Sequence, residues 1–197
     1  MSGLATSFVL GYHGCKLSVA EAIVNGKSEL TQSQEKFDWL GPGAYFWESD
    51  PTRAWEWAAE KVKRKAYKEA AVLGAAIDLG NCLDLTKRRY LQMLSAAHDS
   101  FIEHQKVAGL PIPTNEPRNS TDPDNVYRNL DCAVIKHLHY MIAQDSEAQP
   151  FDTVRGLFIE GTPLYEGSGF RAKSHVQIAV LNPKQIKGIF LAKPEED

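Results

Sequence analysis

The sequence predicts an α+β domain with mainly antiparallel pairing. Segments of strand-type period lie toward both ends of the chain and flank a middle of long helical segments. Strands and helices nowhere alternate in the regular βαβ rhythm that a doubly wound parallel sheet requires. The 197 residues, 43% apolar and 24% charged, suffice for one core. Neither a repeat nor a linker divides them, so one domain spanning 1–197 is expected.

Taken in order, Ser7 to Tyr12 is a β-type run that ends in Gly11-Tyr12-His13-Gly14. Ser18-Val-Ala-Glu21 has the form of a capping box and opens a short helix that Gly26 ends. Gly41-Pro42-Gly43 precedes the aromatic strand Ala44-Tyr45-Phe46-Trp47. Asp50-Pro51 is a cap followed by proline at the first helical position, and the helix is expected to reach about Ala70. Val72 to Leu79 reads as a strand, 87–107 as a long helix, and Val126 to Ala143 as another. Gly109 to Asn125, with its four prolines, is a loop. Thr153 to Glu160, Ser174 to Asn182 and Gln185 to Ala192 have strand character.

Composition excludes several classes. Twenty-two basic residues against 25 acidic give a net charge of −3, which demands neither nucleic acid nor an anionic membrane as partner. No apolar run approaches the roughly 20 residues of a membrane helix, and no basic n-region precedes the first apolar stretch. A soluble, cytoplasmic protein is the expectation. Cys15, Cys82 and Cys132 are odd in number and far apart, unlike a disulfide framework. Metal-site spacings such as Cys-x-x-Cys and His-Glu-x-x-His are missing. His137 and His139 stand two apart on a helix, so their rings diverge, and no metal is expected.

Two patterns are decoys. Gly167-Ser-Gly169-Phe-Arg-Ala172 matches a dinucleotide-binding turn, but a strand rather than a helix follows it. The basic run Lys61-Val-Lys-Arg-Lys65 has Glu56, Glu60 and Glu69 nearby and reads as a solvated helix face. Three separated fragments carry more. They are Gly11-Tyr-His13-Gly14, Gly41-Pro-Gly-Ala-Tyr45-Phe, and Ser174-His-Val-Gln177-Ile-Ala-Val-Leu-Asn-Pro183. On the last strand Val176, Ile178 and Val180 form an apolar face, which leaves His175 and Gln177 on the other. Polar residues on that side suit a cleft wall.

Order and spacing of these fragments resemble the ADP-ribosyltransferase superfamily, of the poly(ADP-ribose) polymerase-like type with a His-Tyr-Glu triad. The likeness runs from about residue 9 to 192 and is particular to a bacterial group sharing Ile-Asp-Leu-Gly-Asn-Cys-Leu-Asp-Leu. It implies a split pair of mainly antiparallel β-sheets around a helical middle segment, with an NAD+ cleft between the sheets. His13 would bond the adenosine ribose, the Gly14 backbone the nicotinamide amide, and the Tyr45 ring would stack on nicotinamide. Gln177 occupies the register of the family's catalytic glutamate.

That departure has a chemical consequence. Cleaving the nicotinamide–ribose bond expels a neutral leaving group, so no general acid is needed, but the oxocarbenium-like ribose favours a nearby carboxylate. Gln177 keeps the hydrogen bonds and loses the charge. Single transfer survives that loss better than chain elongation does. Glu160 and Glu48 are candidate substitute carboxylates. His175, Arg155 and Arg171 are candidates for phosphate or substrate contacts, with structural ion pairs as the plainer role of the arginines.

The leading expectation is a mono-ADP-ribosyltransferase that uses NAD+, without metal, on a macromolecular acceptor. The resemblance further suggests a bacterial toxin or anti-phage effector with a neutralising partner protein. Three alternatives stand beside it: an NAD+ glycohydrolase, a catalytically degenerate module that binds NAD+ or ADP-ribose, and an RNA 2′-phosphotransferase.

Overall fold

A computed structural model describes residues 8–120 and 124–194. In chain order the elements are β1 (Phe8–Lys16), α1 (Leu17–Val24), β2 (Ala44–Glu48), α2 (Pro51–Lys63), β3 (Ala70–Asp78) and β4 (Cys82–Asp84). Then come α3 (Arg88–Ala108), the short β5 (Asn115–Glu116) and β6 (Tyr127–Arg128), α4 (Asn129–Gln144), β7 (Thr153–Phe158), β8 (His175–Val180) and β9 (Ile186–Ala192). The architecture is mixed α+β. Seven strands join in the order β4-β7-β8-β2-β1-β3-β9, while β5 and β6 form a separate ribbon. Every neighbouring pair is antiparallel except β4 with β7, which is parallel. None of the described helices is long and apolar enough to cross a membrane.

The expectation of two separate sheets needs correction. β1 pairs with β3 along its whole length, from Phe8↔Asp78 to Lys16↔Ala70, but with β2 only at Gly11↔Glu48 and Tyr12↔Trp47. The sheet is therefore continuous, and a two-pair ladder joins its halves at a seam. Across that seam the halves share one core. Ala44 and Phe46 of β2, Ile178 and Val180 of β8, and Ala75 and Ile77 of β3 form a buried cluster. Gly11 makes this closeness feasible: a Cβ there would lie 2.7 Å from Ile77 Cδ1 and 2.8 Å from Phe46 Cβ.

The helices divide between the faces. α1 covers Cys15, Ala71 and Leu73 on the face of Phe46. On the other face α3 and α4 bury Leu83, Val154 and Ala179 beneath Phe101, Val134, Ile135 and Leu138. α2 covers Trp47 and Val72 through Ala54. Each fully buried large side chain of these clusters contributes roughly 1.5–3 kcal/mol relative to exposure.

Several boundaries differ from the sequence reading. β1 runs on through His13 and Gly14 to Lys16, because β3 supplies a partner that far; Ser7 lies outside the described residues. The Ser18 capping box does not form: α1 starts at Leu17, its cap position is Lys16, and no side chain bonds there. α2 stops at Lys63 rather than Ala70. The chain turns through Lys65 at φ 58° so that Ala70 can pair with Lys16. β7 ends at Phe158, short of Glu160. The glycine pattern at 167–172 leads into β8, as its rejection required.

Candidate functional site

The seam originates in one substitution of a side chain for a backbone group. In an antiparallel ladder alternate residues turn their peptide groups to the same neighbour. The Leu10 carbonyl accepts from the Ser49 N–H at 2.8 Å, and Tyr12 faces Trp47, so even-numbered residues of β1 address β2. Continued in register, Gly14 would face Tyr45. Instead the His13 Nδ1–H donates to the Tyr45 carbonyl at 2.8 Å. The ring takes the acceptor that a longer ladder would have used, and the Gly14 peptide is left facing the seam. Burial lowers the His13 pKa below 6.5, and the Tyr45 bond opposes this only in part. The neutral ring, donating through Nδ1, carries its lone pair on Nε2.

Gly14 also has a packing role. A Cβ there would meet the Ala54 carbonyl oxygen at 2.5 Å and both Ala58 Cβ and Trp57 Cε3 at 3.2 Å. Only glycine lets α2 close on β1. Asp50 starts α2 by accepting from the Arg53 N–H at 2.9 Å, with Pro51 pre-set in the first turn.

Tyr45 projects to the face opposite His13. Its hydroxyl donates to the Gly41 carbonyl at 2.7 Å and accepts from the Leu40 N–H at 3.0 Å. Burial raises the phenol far above its ordinary value, so it stays protonated. Gln177 shares this face. It pairs with Trp47 on one side and Gly156 on the other, and lies diagonal to Tyr45 across the β2–β8 ladder. Its amide oxygen accepts from Trp39 Nε1 at 2.7 Å. A Cβ on Gly156 would lie 2.8 Å from the Trp39 ring, so this glycine admits the indole. His175, also on this face, is buried beside Trp47 and Phe158, and its Nδ1–H donates to the Lys173 carbonyl at 2.7 Å.

The remaining predicted residues are held elsewhere. Arg155 and Glu48 lie on the His13 face as a two-pronged ion pair, Nε to Oε2 at 2.5 Å and Nη2 to Oε1 at 3.0 Å. Arg155 also reaches Asp84 at 3.3 Å. Burial works against the Asp84 carboxylate, but Thr86, Lys87 and Arg155 outweigh it and hold its pKa below the usual value. Glu160 follows β7 and pairs with Arg53 at 3.2 Å. Arg171 donates to the Gly161 carbonyl at 2.9 Å and closes the β7–β8 connection. As substitute carboxylates, Glu48 and Glu160 are therefore each already matched by an arginine, and Glu48 stands on the wrong face.

His13, Gly14 and Tyr45 do meet at the seam, joined through backbone rather than by facing side chains. Tyr45, Gln177 and His175 gather on one face. The sequence reading missed Trp39 and Trp47 as their partners. Strand alternation from Tyr45 signals Trp47, whereas nothing local signals Trp39. His137 and His139 diverge as expected, one bonded to Ser100 Oγ at 3.0 Å and the other against Phe151. Two open hollows are lined by none of the predicted site residues. One, of ≈ 530 Å³, runs between Lys36, Ile112, Cys132 and Lys136; the other is lined by Arg89, Tyr90 and Phe151.

No protein-family model matches the chain. No solved structure matches it either. Across 196 residues the sequence is 35% identical to the uncharacterised protein MJ0359 of the archaeon Methanocaldococcus jannaschii, an alignment that takes in 89% of this chain and 83% of the relative. At that identity and coverage the chain belongs to the same family as the archaeal protein.

Proposed function

We propose that the chain is a mono-ADP-ribosyltransferase that binds NAD+ at the β1–β2 seam and transfers one ADP-ribose to a macromolecule. The interrupted ladder is the observation that carries this reading. A carboxamide such as that of nicotinamide needs one donor and one acceptor side by side, and the Gly14 peptide turns both toward the seam. Tyr45, held at its hydroxyl by two bonds, is a fixed ring on the β2 side of the seam. His13 Nε2 is the group for a ribose hydroxyl. Departure of neutral nicotinamide needs no acid, and Gln177 orients the sugar without charge, which favours one transfer over elongation. The bacterial toxin or anti-phage role, with its neutralising partner, belongs to the same proposal.

One observation favours a second reading, a module that binds NAD+ without turnover. Trp39 already engages Gln177, and arginines already neutralise Glu48 and Glu160. Nicotinamide release from NAD+ by the purified protein, with and without cell lysate, separates the two. Lysate-dependent release is expected, reduced at least ~100-fold by His13→Ala or Tyr45→Ala through lost positioning. Thermal stabilisation by NAD+ with no release in either condition would leave the binding module. Neither stabilisation nor release would overturn both.

A further inference from the structure

On the face of Tyr45 and Gln177 two aromatic side chains each bury a nitrogen that has no partner among the described residues, as does Arg53 Nε of the overlying α2. Trp47 is 7% exposed and His175 6%, and neither Trp47 Nε1 nor His175 Nε2 makes a hydrogen bond to a described residue. Their ring centroids lie 6.2 Å apart, with Phe158 5.4 Å from the imidazole. An unpaired buried group of this kind costs about 1–3 kcal/mol, so a ligand group that pairs with both nitrogens gains more here than on an exposed surface. Their chemistry is complementary. His175 gives its Nδ1–H to the Lys173 carbonyl, which makes Nε2 of the neutral ring an acceptor; the indole N–H of Trp47 is a donor only. A hydroxyl placed between the two rings has the complementary groups, an oxygen to accept from the indole and a proton to donate to the imidazole. An ammonium offers no acceptor and a carboxylate no proton. Gln177 lies two residues along β8 on the same face and pairs directly with Trp47, so a hydroxyl held there adjoins the glutamine.

We infer that Trp47 and His175 hold the hydroxyl of the ADP-ribose acceptor and that His175 Nε2 takes its proton, which makes the acceptor an alcohol. The inference rests on the transferase reading. In the step, the acceptor oxygen bonds to ribose C1′ while the C1′–N bond to nicotinamide breaks. The bonding pair goes to the pyridine nitrogen, and the hydroxyl proton goes to Nε2 and then to solvent. Such a base needs a neutral imidazole. Burial favours that form, the Lys173 bond opposes it, Arg53 of α2 supports it and Asp50 opposes it. The other charged groups nearby are Glu160, paired with Arg53, and Arg128, whose guanidinium sits 4.9 Å from the Phe158 ring centroid.

The test uses the full chain with NAD+ and methanol as acceptor, methylamine as the competing nucleophile, between about pH 5 and pH 9. Methyl ADP-riboside and nicotinamide are quantified, and NAD+ binding is followed by thermal shift. Wild type is expected to form the O-methyl product in preference to the N-methyl one, with a rate that falls on the acid side through one inflection. His175→Gln should keep the NAD+ thermal shift, lose at least ~100-fold in methanol transfer and lose the inflection. Trp47→Phe, which keeps the ring shape and removes the N–H, should lower methanol transfer by ~10-fold with the inflection intact. Transfer by His175→Gln at the wild-type rate and pH profile, or preference for methylamine, would overturn the inference while leaving the transferase reading. A wild type that releases no nicotinamide with any nucleophile would overturn both.

Discussion

At the scale of single residues, glycine positions decide what can approach what. Gly14 and Gly74 are both crowded, but by different objects. A Cβ on Gly14 meets the α2 backbone at 2.5 Å, whereas one on Gly74 meets the tip of the Phe190 ring at 2.2 Å. Phe190 is 43% exposed and can swing outward. Gly14→Ala should therefore cost about 1–3 kcal/mol through strain between α2 and β1. Gly74→Ala should cost less than ~1 kcal/mol, since a strand alanine recovers unfolded-state entropy. Urea denaturation of the two variants measures this, and equal losses would contradict it. At the site, His13, Tyr45 and Gln177 are recognisable in the sequence because each belongs to a short motif. Trp39 is not. It meets Gln177 across 138 residues, and no local pattern encodes a contact of that separation.

Elements were legible wherever the signal was local. Asp50-Pro51 specifies the start of α2 because its cap lies within three residues of the amide it serves. Asp50→Ala should destabilise the protein by ~1 kcal/mol, a fall of about 2–4 °C in Tm. Ser18→Ala, in the box that does not form, should change stability by less than ~0.5 kcal/mol. A matching loss at both positions would mean that α1 is capped after all. Helix ends and strand ends were less legible, for a physical reason. α2 ends where the chain must reverse to pair β3 with β1, and β1 continues as far as β3 offers partners. Both limits are set by pairing, which competes with the helix propensity of residues 64–69 and wins.

For the whole molecule, acid sensitivity follows from what the fold buries. Burial depresses the pKa values of His13, His139 and His175 below 6.5. Below that value the unfolded chain binds more protons than the folded one, so stability must fall as pH drops through 6.5 toward the folded values. Asp84 and Asp152 are held below 3.8, so their contribution is intact near neutrality and disappears only below that range. Unfolding midpoints in urea should accordingly fall in two stages as pH is lowered. His139→Leu, which removes a ring packed on Phe151 whose Nε2 is buried without a partner among the described residues, should flatten the first stage; an unchanged acid limb would contradict this assignment. The α+β class and the positions of the long helices and the strands follow from periodicity, caps and turn residues, because those act over a few residues, whereas His13, Tyr45 and Gln177 were singled out by resemblance to a known family. Only the tertiary structure decided that the sheet is continuous, where its seam opens, that His13 and Tyr45 meet through a carbonyl, and which buried nitrogens are left unpaired. Those features arise where strands distant in the chain compete for the same hydrogen-bonding groups, and the outcome of that competition is a property of the assembled sheet.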